Sequence, residues 1–257
     1  MTLPKISVVT PSFNQSKYIR ATIDSVLSQD YPNLEYIVMD GGSTDGTVDI
    51  LKSYGKKIRW VSEADNGQTA AINKGLRQST GEVLAYLNSD DIYFPGTLRA
   101  VGEYYQKTHA DWITGDCLVI NDAGEPSKGG WLVQGYKRLL MTLYSRHTLM
   151  IADSMFPQPS TFWSRKAWER VGEFNEKYHY VMDYDYWLRM STFYLPHDLN
   201  KVLSGFRSQP NSKSETGRTK LMAEGDKALV ANGASRLHLL LHRAHSWIVR
   251  QVYSLLK

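Results

Sequence analysis

The run VLAYL at positions 83–87 is followed directly by NSDD at positions 88–91. An apolar run of this length, bounded by Gly81 and an acidic pair, predicts a buried central strand that ends in two carboxylates. Adjacent carboxylates repel each other unless a positive group lies between them, and Mg²⁺ or Mn²⁺ is the simplest candidate. Taken alone, the same residues also fit a Ser/Asp-rich turn that caps a helix starting near Pro95.

The chain up to this run alternates between apolar strands and amphipathic helices. We predict strands over 6–10, 34–39, 58–61 and 83–87, with helices over 18–29, 44–54 and 67–78 between them. This alternation predicts an α/β fold with a parallel sheet and right-handed crossovers, in which ligands bind at the carboxyl ends of the strands. The groups that follow the strands are Thr10-Pro11-Ser12, Asp40-Gly41, Glu63-Ala64-Asp65 and Asp90-Asp91. Four polar groups at one edge of a sheet indicate a binding site.

The second half of the chain is less regular. A strand is predicted over 112–121, a turn over 122–125 and a return strand over 131–134, while 136–156 fits a helix and a loop beside the site. A strand over 160–164 leads into a helix over 166–171, and a further helix over 182–193 has Trp187 facing the core. Residues 208–219 have the composition of a polar loop, and 221–257 predict one or two helices outside the main core.

Composition excludes several classes of protein. The 257 residues suffice for one large domain with a modest appendage, and a net charge of +4 gives no indication of a nucleic-acid binder. The single cysteine, Cys117, excludes an internal disulfide, argues against a Cys-based metal site and favours a reducing cytoplasm. The first residues lack the apolar region of a signal peptide, and no apolar run approaches the ~18–20 residues that span a bilayer. We therefore expect a soluble or peripheral protein.

Six stretches carry a resemblance to a known family: SVVTPSFN at 7–14, MDGGSTDGT at 39–47, NGQTAAINKG at 66–75, NSDD at 88–91, QPST at 158–161 and DYDYWLR at 183–189. In this order they resemble family 2 glycosyltransferases of the GT-A fold, which are inverting enzymes that use nucleotide-diphosphate sugars. Each stretch is short, but the six together indicate membership. The resemblance implies a Rossmann-like, mostly parallel central sheet with flanking helices, and a donor such as a UDP-sugar.

The resemblance places the nucleotide beside the first three strands. Asp40 matches the family aspartate that accepts a hydrogen bond from the uracil N3–H, which an ionised carboxylate can do. Asp65 matches an acidic residue near the nucleoside, and Asn73 would line the site. The floor beneath the base would be formed by Thr10, Pro11 and Ser12. Local structure offers alternatives, since Asp40 also fits the start of a turn and Asp65 the cap of a helix.

The resemblance also assigns the catalytic groups. Asp91 matches the aspartate that coordinates Mn²⁺ or Mg²⁺, with Asp90 close to the metal or the ribose, and such an ion stabilises charge on a diphosphate leaving group. Asp183 matches the catalytic base that takes the proton of the acceptor hydroxyl. An acidic residue favoured by the dipole at a helix start is the alternative explanation of Asp183. The acceptor or diphosphate side would be lined by Gln158, Arg207 and Lys213.

Two residues depart from the family pattern. Met182 precedes Asp183 where the family has Glu, which removes one carboxylate and leaves the acceptor class open. Gln209 replaces the His of the late Arg-x-His-x-x-Ser segment, which argues against a metal ligand from this loop. Asp185, two positions after the candidate base, is expected to support the helix start or form a salt bridge.

The C-terminal segment predicts an amphipathic helix. Within 236–257, one face carries Leu237, Leu240, Leu241, Ala244, Ile248, Val252 and Leu255. Arg243, Arg250 and several histidines lie elsewhere on the helix. A basic amphipathic helix fits an anionic membrane surface, and a lipid-linked acceptor would favour that interpretation. Packing against the catalytic domain or against a second subunit explains the same pattern.

Together these observations predict a GT-A glycosyltransferase domain over 1–215 and a C-terminal helical extension over 216–257. The expected reaction moves a sugar from a nucleotide-diphosphate sugar to a saccharide or lipid-linked saccharide, in bacterial polysaccharide or glycolipid assembly. The expected location is the cytoplasm or the inner face of the plasma membrane, with a homo-oligomer left open. A nucleotidyltransferase would need a Gly-rich phosphate loop, which PSFNQ at 11–15 lacks. A non-catalytic nucleotide-sugar-binding protein is the other alternative, kept open by Met182.

Overall fold

The computed structural model describes residues 2–127, 130–152, 155–209 and 217–256. The strands in these ranges are β1 (Ile6–Ser12), β2 (Leu34–Asp40), β3 (Arg59–Ser62), β4 (Val83–Tyr86), β5 (Ile92–Tyr93), β6 (Trp112–Ile120), β7 (Thr161–Ser164) and β8 (His197–Arg207). The helices are α1 (Ile19–Leu27), α2 (Thr47–Ser53), α3 (Gln68–Gln78), α4 (Thr97–Thr108), α5 (Gly130–Thr142), α6 (Arg146–Ile151), α7 (Arg165–Val171), α8 (Met182–Met190), α9 (Arg218–Ala231) and α10 (Arg236–Leu256).

One sheet joins these strands in the order β3-β2-β1-β4-β7-β6-β8-β5. The strands β3, β2, β1 and β4 are parallel, β7 is antiparallel to both of its neighbours, and β6 and β8 are again parallel. The chain runs outward from β1 to β3 and then returns to the other side of β1 as β4. A crevice at the carboxyl ends of the strands opens where the order reverses in this way. The predicted α/β fold and its first four parallel strands are confirmed.

Each face of the sheet carries its own core, because successive residues of β1 point to opposite faces. Val9 belongs to the core beneath α3, α6 and α8, whereas Val8 belongs to the core beneath α1, α2 and α4. Trp187 of α8 is buried and stacks on Trp112 with ring centroids 5.8 Å apart, as its predicted place in the core requires. Burying one such ring removes about 150–250 Å² from water, worth roughly 4–6 kcal/mol. These rings hold α8, and with it Asp183, against the sheet.

The second half of the chain departs from the prediction in two places. Residues 131–134, predicted as a return strand, lie within α5. A short apolar run fits a strand or a buried helix segment equally well, which explains the error. The sequence prediction also omits β8. The first six residues of this strand are mostly exposed and mostly polar, so they show no apolar strand pattern. The other predicted strands and helices of this half are confirmed by β6, β7, α7 and α8.

The two last helices lie differently from the prediction. Ala228 and Leu229 of α9 are fully buried in the core shared with α8, so α9 is part of the main core. The apolar side of α10 faces outward, and Leu240 is one of its exposed residues. The prediction that this side packs against the catalytic domain is therefore wrong. Among the described helices, none has both the length and the apolar character needed to cross a bilayer. The proposed division between 215 and 216 falls outside the described residues.

Candidate active site

The ends of β1, β2 and β3 bring three polar residues into one row. Ser12, Asp40 and Ser62 are in register across the parallel strands. The buried Asp40 carboxylate accepts four hydrogen bonds at 2.5–3.2 Å, from the backbone N–H groups of Gly42 and Ser43 and from the hydroxyls of Ser43 and Ser62. A carboxylate has about four acceptor sites, so these bonds occupy Asp40 and fix the turn after β2. Asp40 can accept a hydrogen bond from the N–H of a base only if one of these four hydrogen bonds is broken.

Ser12 offers an open group beside this row. Its hydroxyl is buried, and in the described part of the chain it has no hydrogen-bond partner. An unpaired buried hydroxyl costs about 1–3 kcal/mol, so the position suits a ligand that supplies the missing bond. Pro11 beside it is buried, as the floor of a site would be. The Thr10 hydroxyl instead pairs with the Tyr36 hydroxyl at 3.0 Å inside the core, which gives Thr10 a structural role.

Asp65 reaches the turn after β2 from the neighbouring loop. A Cβ atom on Gly41 would lie 2.9 Å from Asp65 Oδ2, so the missing side chain lets the two loops meet. Asp65 Oδ1 accepts a hydrogen bond from the Gly67 N–H at 2.7 Å, directly before α3. The carboxylate therefore holds the turn that leads into α3 while it remains exposed at the border of the row.

Amide side chains surround the NSDD segment at the carboxyl end of β4. Asn88 Nδ2 donates to Asp91 Oδ2 at 3.2 Å and to Gln158 Oε1 at 3.1 Å, and Asn88 Oδ1 accepts from the Gln68 amide at 2.7 Å. Gln158 in turn donates to the Tyr86 carbonyl at 2.7 Å. Gln158 is thus a positioning residue that holds Asn88 and, through Asn88, the carboxylate of Asp91.

The two aspartates of this segment differ in depth. Asp91 is 0% exposed, and its Oδ1 accepts the Arg207 backbone N–H at 2.9 Å. Asp90 is half-buried, and its Oδ2 accepts from the Gln209 amide at 2.6 Å. Burial raises the pKa of both carboxyls, and the pKa of Asp91 rises well above its ordinary value because the charge of Asp90 adds to burial. An entering cation would favour the ionised form of both.

This donor set fits Mg²⁺ or Mn²⁺. Both ions take carboxylate oxygens and complete their coordination with water and substrate phosphates. The described residues contain no group of three or more His, Cys, Asp or Glu side chains that could form an all-protein metal site. Asp90 is the more exposed of the two, whereas both carboxylate oxygens of Asp91 already accept hydrogen bonds. Gln209 stands where the family has His, and its amide donates to Asp90, so this loop reaches the acidic pair.

The structure contradicts the expectation that Arg207 contacts a diphosphate. This side chain is 3% exposed, and Nε donates to the Asp90 carbonyl at 2.8 Å. Nη1 donates to the carbonyls of Asn121 and Asp122 at 2.8 and 2.7 Å, and the guanidinium lies 5.2 Å from the ring centroid of Tyr18. The donors point into the protein, so Arg207 fastens the acidic segment to the turn after β6.

Asp183 lies in the first turn of α8 and is partly exposed. Its Oδ1 accepts the Tyr184 N–H at 2.8 Å, and the start of a helix favours its negative charge. Burial, followed by the charges of Asp183 and Asp91, raises the pKa of the Tyr86 hydroxyl well above its ordinary value. Tyr86 of β4 belongs to the same core as the neighbours of Asp183 in α8, so Asp183 lies over the face of the sheet that carries Tyr86.

The neighbours of Asp183 are structural. Met182 is buried in the core, so apolar side chains enclose the position that the family fills with Glu. Asp185 pairs with Arg189 at 2.9 Å and accepts from the Asn232 amide at 3.1 Å, which confirms the predicted salt bridge. Asp183 is therefore the carboxylate of this helix start that stays accessible.

Asn73, predicted to bind nucleotide, is used elsewhere. Its amide donates to the Phe174 carbonyl at 2.9 Å and its carbonyl accepts the Phe174 N–H at 3.0 Å, which fastens α3 to the segment before α8. Lys213 lies outside the described residues. Conversely, Asn88 and Gln209 are central to the site, although the sequence prediction named neither as a site residue. Two features of the sequence could have indicated them: Asn88 lies next to the acidic pair, and Gln209 stands where the family has His.

Comparison with known families agrees with this geometry. Residues 7–172 match the family model described as glycosyl transferase family 2, and this segment includes β1 to β4 and the NSDD run. The chain belongs to glycosyl transferase family 2. Its sheet and flanking helices have the GT-A fold.

The relatives of this family 2 chain are longer than the chain itself. An uncharacterized glycosyltransferase of Rickettsia typhi is 30% identical over 212 residues, which cover 76% of this chain and 62% of that protein. The chondroitin synthase of Escherichia coli is 28% identical over 203 residues, which cover 78% of this chain and 28% of that protein. The chain thus spans less than two thirds of the length of these relatives.

Solved structures share the fold of this chain. The mannosyltransferase PcManGT from Pyrobaculum calidifontis, in complex with GDP-Man and Mn²⁺, has a TM-score of 0.68 at 19% identity and covers 99% of this chain and 74% of its own. S. aureus TarS 1–349, in complex with UDP-GlcNAc, has a TM-score of 0.64 at 18% identity and covers 91% of this chain and 69% of its own. At these identities the likeness is one of fold.

Proposed function

We propose that this enzyme transfers a sugar from a nucleotide-diphosphate sugar, with a UDP-sugar as the first candidate, to an acceptor hydroxyl with inversion. The observation that carries the proposal is the pair Asp90 and Asp91 at the carboxyl end of β4. Burial raises the pKa of both carboxyls, while the Arg207 guanidinium is turned toward backbone carbonyls. Such a pair is suited to a divalent cation that arrives with a diphosphate.

The donor would lie along the row at the ends of the first strands. The unpaired hydroxyl of Ser12 supplies one hydrogen bond, and the exposed Asp65 borders the ribose side. Asp40 remains our candidate for reading the base, by exchanging its bond to the Ser43 hydroxyl for one to the base. TarS 1–349 was solved in complex with UDP-GlcNAc and PcManGT in complex with GDP-Man, which supports this donor class.

The chemistry divides among the chain's own groups. When bound, Mn²⁺ or Mg²⁺ stabilises the charge of the departing diphosphate. Asp90 would hold the ion, and Asp91 with Asn88 keeps the segment in place. Asp183 takes the proton of the acceptor hydroxyl as that oxygen attacks the anomeric carbon on the face opposite the diphosphate. A single displacement of this kind inverts the anomeric configuration.

The acceptor is proposed to be a saccharide or a lipid-linked saccharide, in bacterial polysaccharide or glycolipid assembly. The name of the E. coli relative refers to a polysaccharide, which supports this context. A cytoplasmic enzyme, including one at the inner face of the plasma membrane, has access to nucleotide-diphosphate sugars. Gln158 acts indirectly on this side of the site, because its hydrogen bond positions Asn88.

Calorimetric titration with UDP-, GDP- and dTDP-sugars in the presence of Mn²⁺ tests the donor site. We expect one donor to bind only with metal, and Asp90→Asn to weaken that binding by at least about tenfold. Asp90→Asn is a sharper probe than Asp91→Ala, because Asp91 also fixes the Arg207 backbone. Glu103→Gln, an equal charge change on the exposed side of α4, is the matched control. Failure of every donor to bind the folded protein would contradict the proposal.

A further inference from the structure

The last helix presents an apolar surface to the outside. Five large apolar side chains of α10 are 42% to 64% exposed, and they recur at intervals of three and four residues. The α10 stripe, as we name this surface, consists of Leu237, Leu240, Leu241, Ala244, Trp247 and Ile248. Single exposed apolar residues are ordinary, whereas a continuous stripe marks a surface that something covers.

The opposite side of α10 packs on the domain through Leu239 and several histidines. His238 stacks on His147 of α6 with ring centroids 5.1 Å apart. His242 is buried and His245 contacts the hydroxyl of Tyr136 in α5. Turning the stripe inward would break each of these contacts, so its exposure belongs to the docked position of the helix.

Exposed apolar residues also lie in and directly after α5. Leu139 and Leu143 are more than half exposed, and they follow Tyr136 by three and seven residues. This spacing places Leu139 on the face of α5 that carries Tyr136, the residue in contact with α10, and Leu143 follows directly after the helix ends. The segment next to α10 therefore carries exposed apolar residues of its own.

The charge of the C-terminal segment indicates what covers the stripe. Residues 227–257 contain five Lys and Arg and no Asp or Glu, whereas the rest of the chain holds 25 Lys and Arg against 26 Asp and Glu. Arg236 and Arg243 are exposed and, being seven residues apart, flank one edge of the stripe, although Arg243 also pairs with Asp226 at 2.7 Å. Leucines and a tryptophan beside basic residues fit the interface of an anionic bilayer. A second copy would instead bring two basic segments together, which charge repulsion opposes.

We propose that the α10 stripe is a docking surface for an anionic lipid bilayer, on which α10 lies parallel to the membrane plane. The helix packs chiefly on α6 and touches α8 through the stacked rings of His242 and Tyr184, with centroids 6.1 Å apart. Tyr184 directly follows Asp183, so this contact links the docked helix to the helix that carries the candidate base. This arrangement suits an acceptor carried on a lipid. Membrane docking does not depend on the donor site, and its failure would leave the donor proposal intact.

Flotation of the full chain with vesicles tests the proposal. We expect binding to vesicles of phosphatidylglycerol mixed with phosphatidylcholine, weaker binding to phosphatidylcholine alone, and loss of binding as salt rises. Leu240→Glu should lower the partition coefficient on the anionic vesicles by at least about tenfold. Leu195→Glu, at a residue 71% exposed outside the stripe compared with 64% for Leu240, is the matched control and should bind like the wild type.

Three results would overturn the proposal. The wild type could fail to float with anionic vesicles, or the two glutamate variants could bind equally well. Alternatively, light scattering could show a wild-type dimer that Leu240→Glu separates, which would assign the stripe to a second copy. Circular dichroism of both variants checks folding, and both side chains are exposed, so the native fold should be retained.

Discussion

Replacing Arg207 by methionine distinguishes a structural role from a donor-binding role. The guanidinium makes three hydrogen bonds of 2.7–2.8 Å to the backbone carbonyls of Asp90, Asn121 and Asp122. Hydrogen bonds to a charged group contribute about 1.5–3 kcal/mol each, neighbouring effects do not add, and methionine keeps part of the apolar contact. We therefore expect Arg207→Met to lower the free energy of unfolding by about 3 kcal/mol, and the Tm by roughly 6–12 °C.

Urea denaturation followed by circular dichroism measures this loss. Arg99→Met is the matched control, because Arg99 is 55% exposed on α4 and its ion pair with Glu103 spans 3.8 Å. The control should change the free energy of unfolding by less than about 0.5 kcal/mol. An Arg207→Met variant with wild-type stability and reduced donor affinity would refute the structural role and return the guanidinium to the diphosphate.

Three further changes test other parts of the structure. Gly75→Ala should cost about 1–3 kcal/mol in a urea titration, because a Cβ atom there would lie 2.4 Å from Val9 Cγ1; wild-type stability would argue against such close packing of α3 on β1. The Cys117 thiol should react with a thiol reagent only on unfolding, because burial raises its pKa to about 11; rapid labelling of the folded chain would be inconsistent with this. Burial, together with the charge of Asp90, raises the pKa of Asp91 above its ordinary 3.8 in the folded chain. The folded state therefore favours the protonated Asp91. The stability that this protonation contributes is lost as pH rises through the pKa of the folded chain. Asn does not titrate, so the free energy of unfolding of Asp91→Asn, measured in urea, should rise relative to that of the metal-free wild type over this pH range. A difference that does not change with pH would contradict the raised pKa of Asp91.

The first half of the fold could be predicted because its signals are local. Each of β1 to β4 is a short apolar run that ends at a polar turn, and each connecting helix shows its own periodicity. The later elements lack such signals. The segment 131–134 is apolar enough for either kind of element, and the exposed start of β8 carries no apolar pattern.

The sequence predicted where the site residues lie better than it predicted what each side chain contacts. The carboxyl ends of parallel strands meet at one edge, so the placement of Asp40 and Asp90 followed from the order of elements. Whether a polar side chain faces the site or the interior depends on partners far away in the chain. Arg207 finds carbonyls that precede it by 85 residues or more, and Asn73 finds Phe174. Likewise, the pattern of α10 revealed its apolar side but not that histidines such as His245 would take the inner side.

Single-turnover transfer by Asp183→Asn tests the central claim most directly. The donor that binds in calorimetry is supplied with an acceptor that the wild type uses, and product formation and donor affinity are measured for both proteins. If Asp183 is the base, the variant keeps its donor affinity and transfers the sugar about 10²–10⁴-fold more slowly. Transfer at the wild-type rate, or a parallel loss of donor binding, would contradict the assignment of Asp183 as the group that takes the acceptor proton.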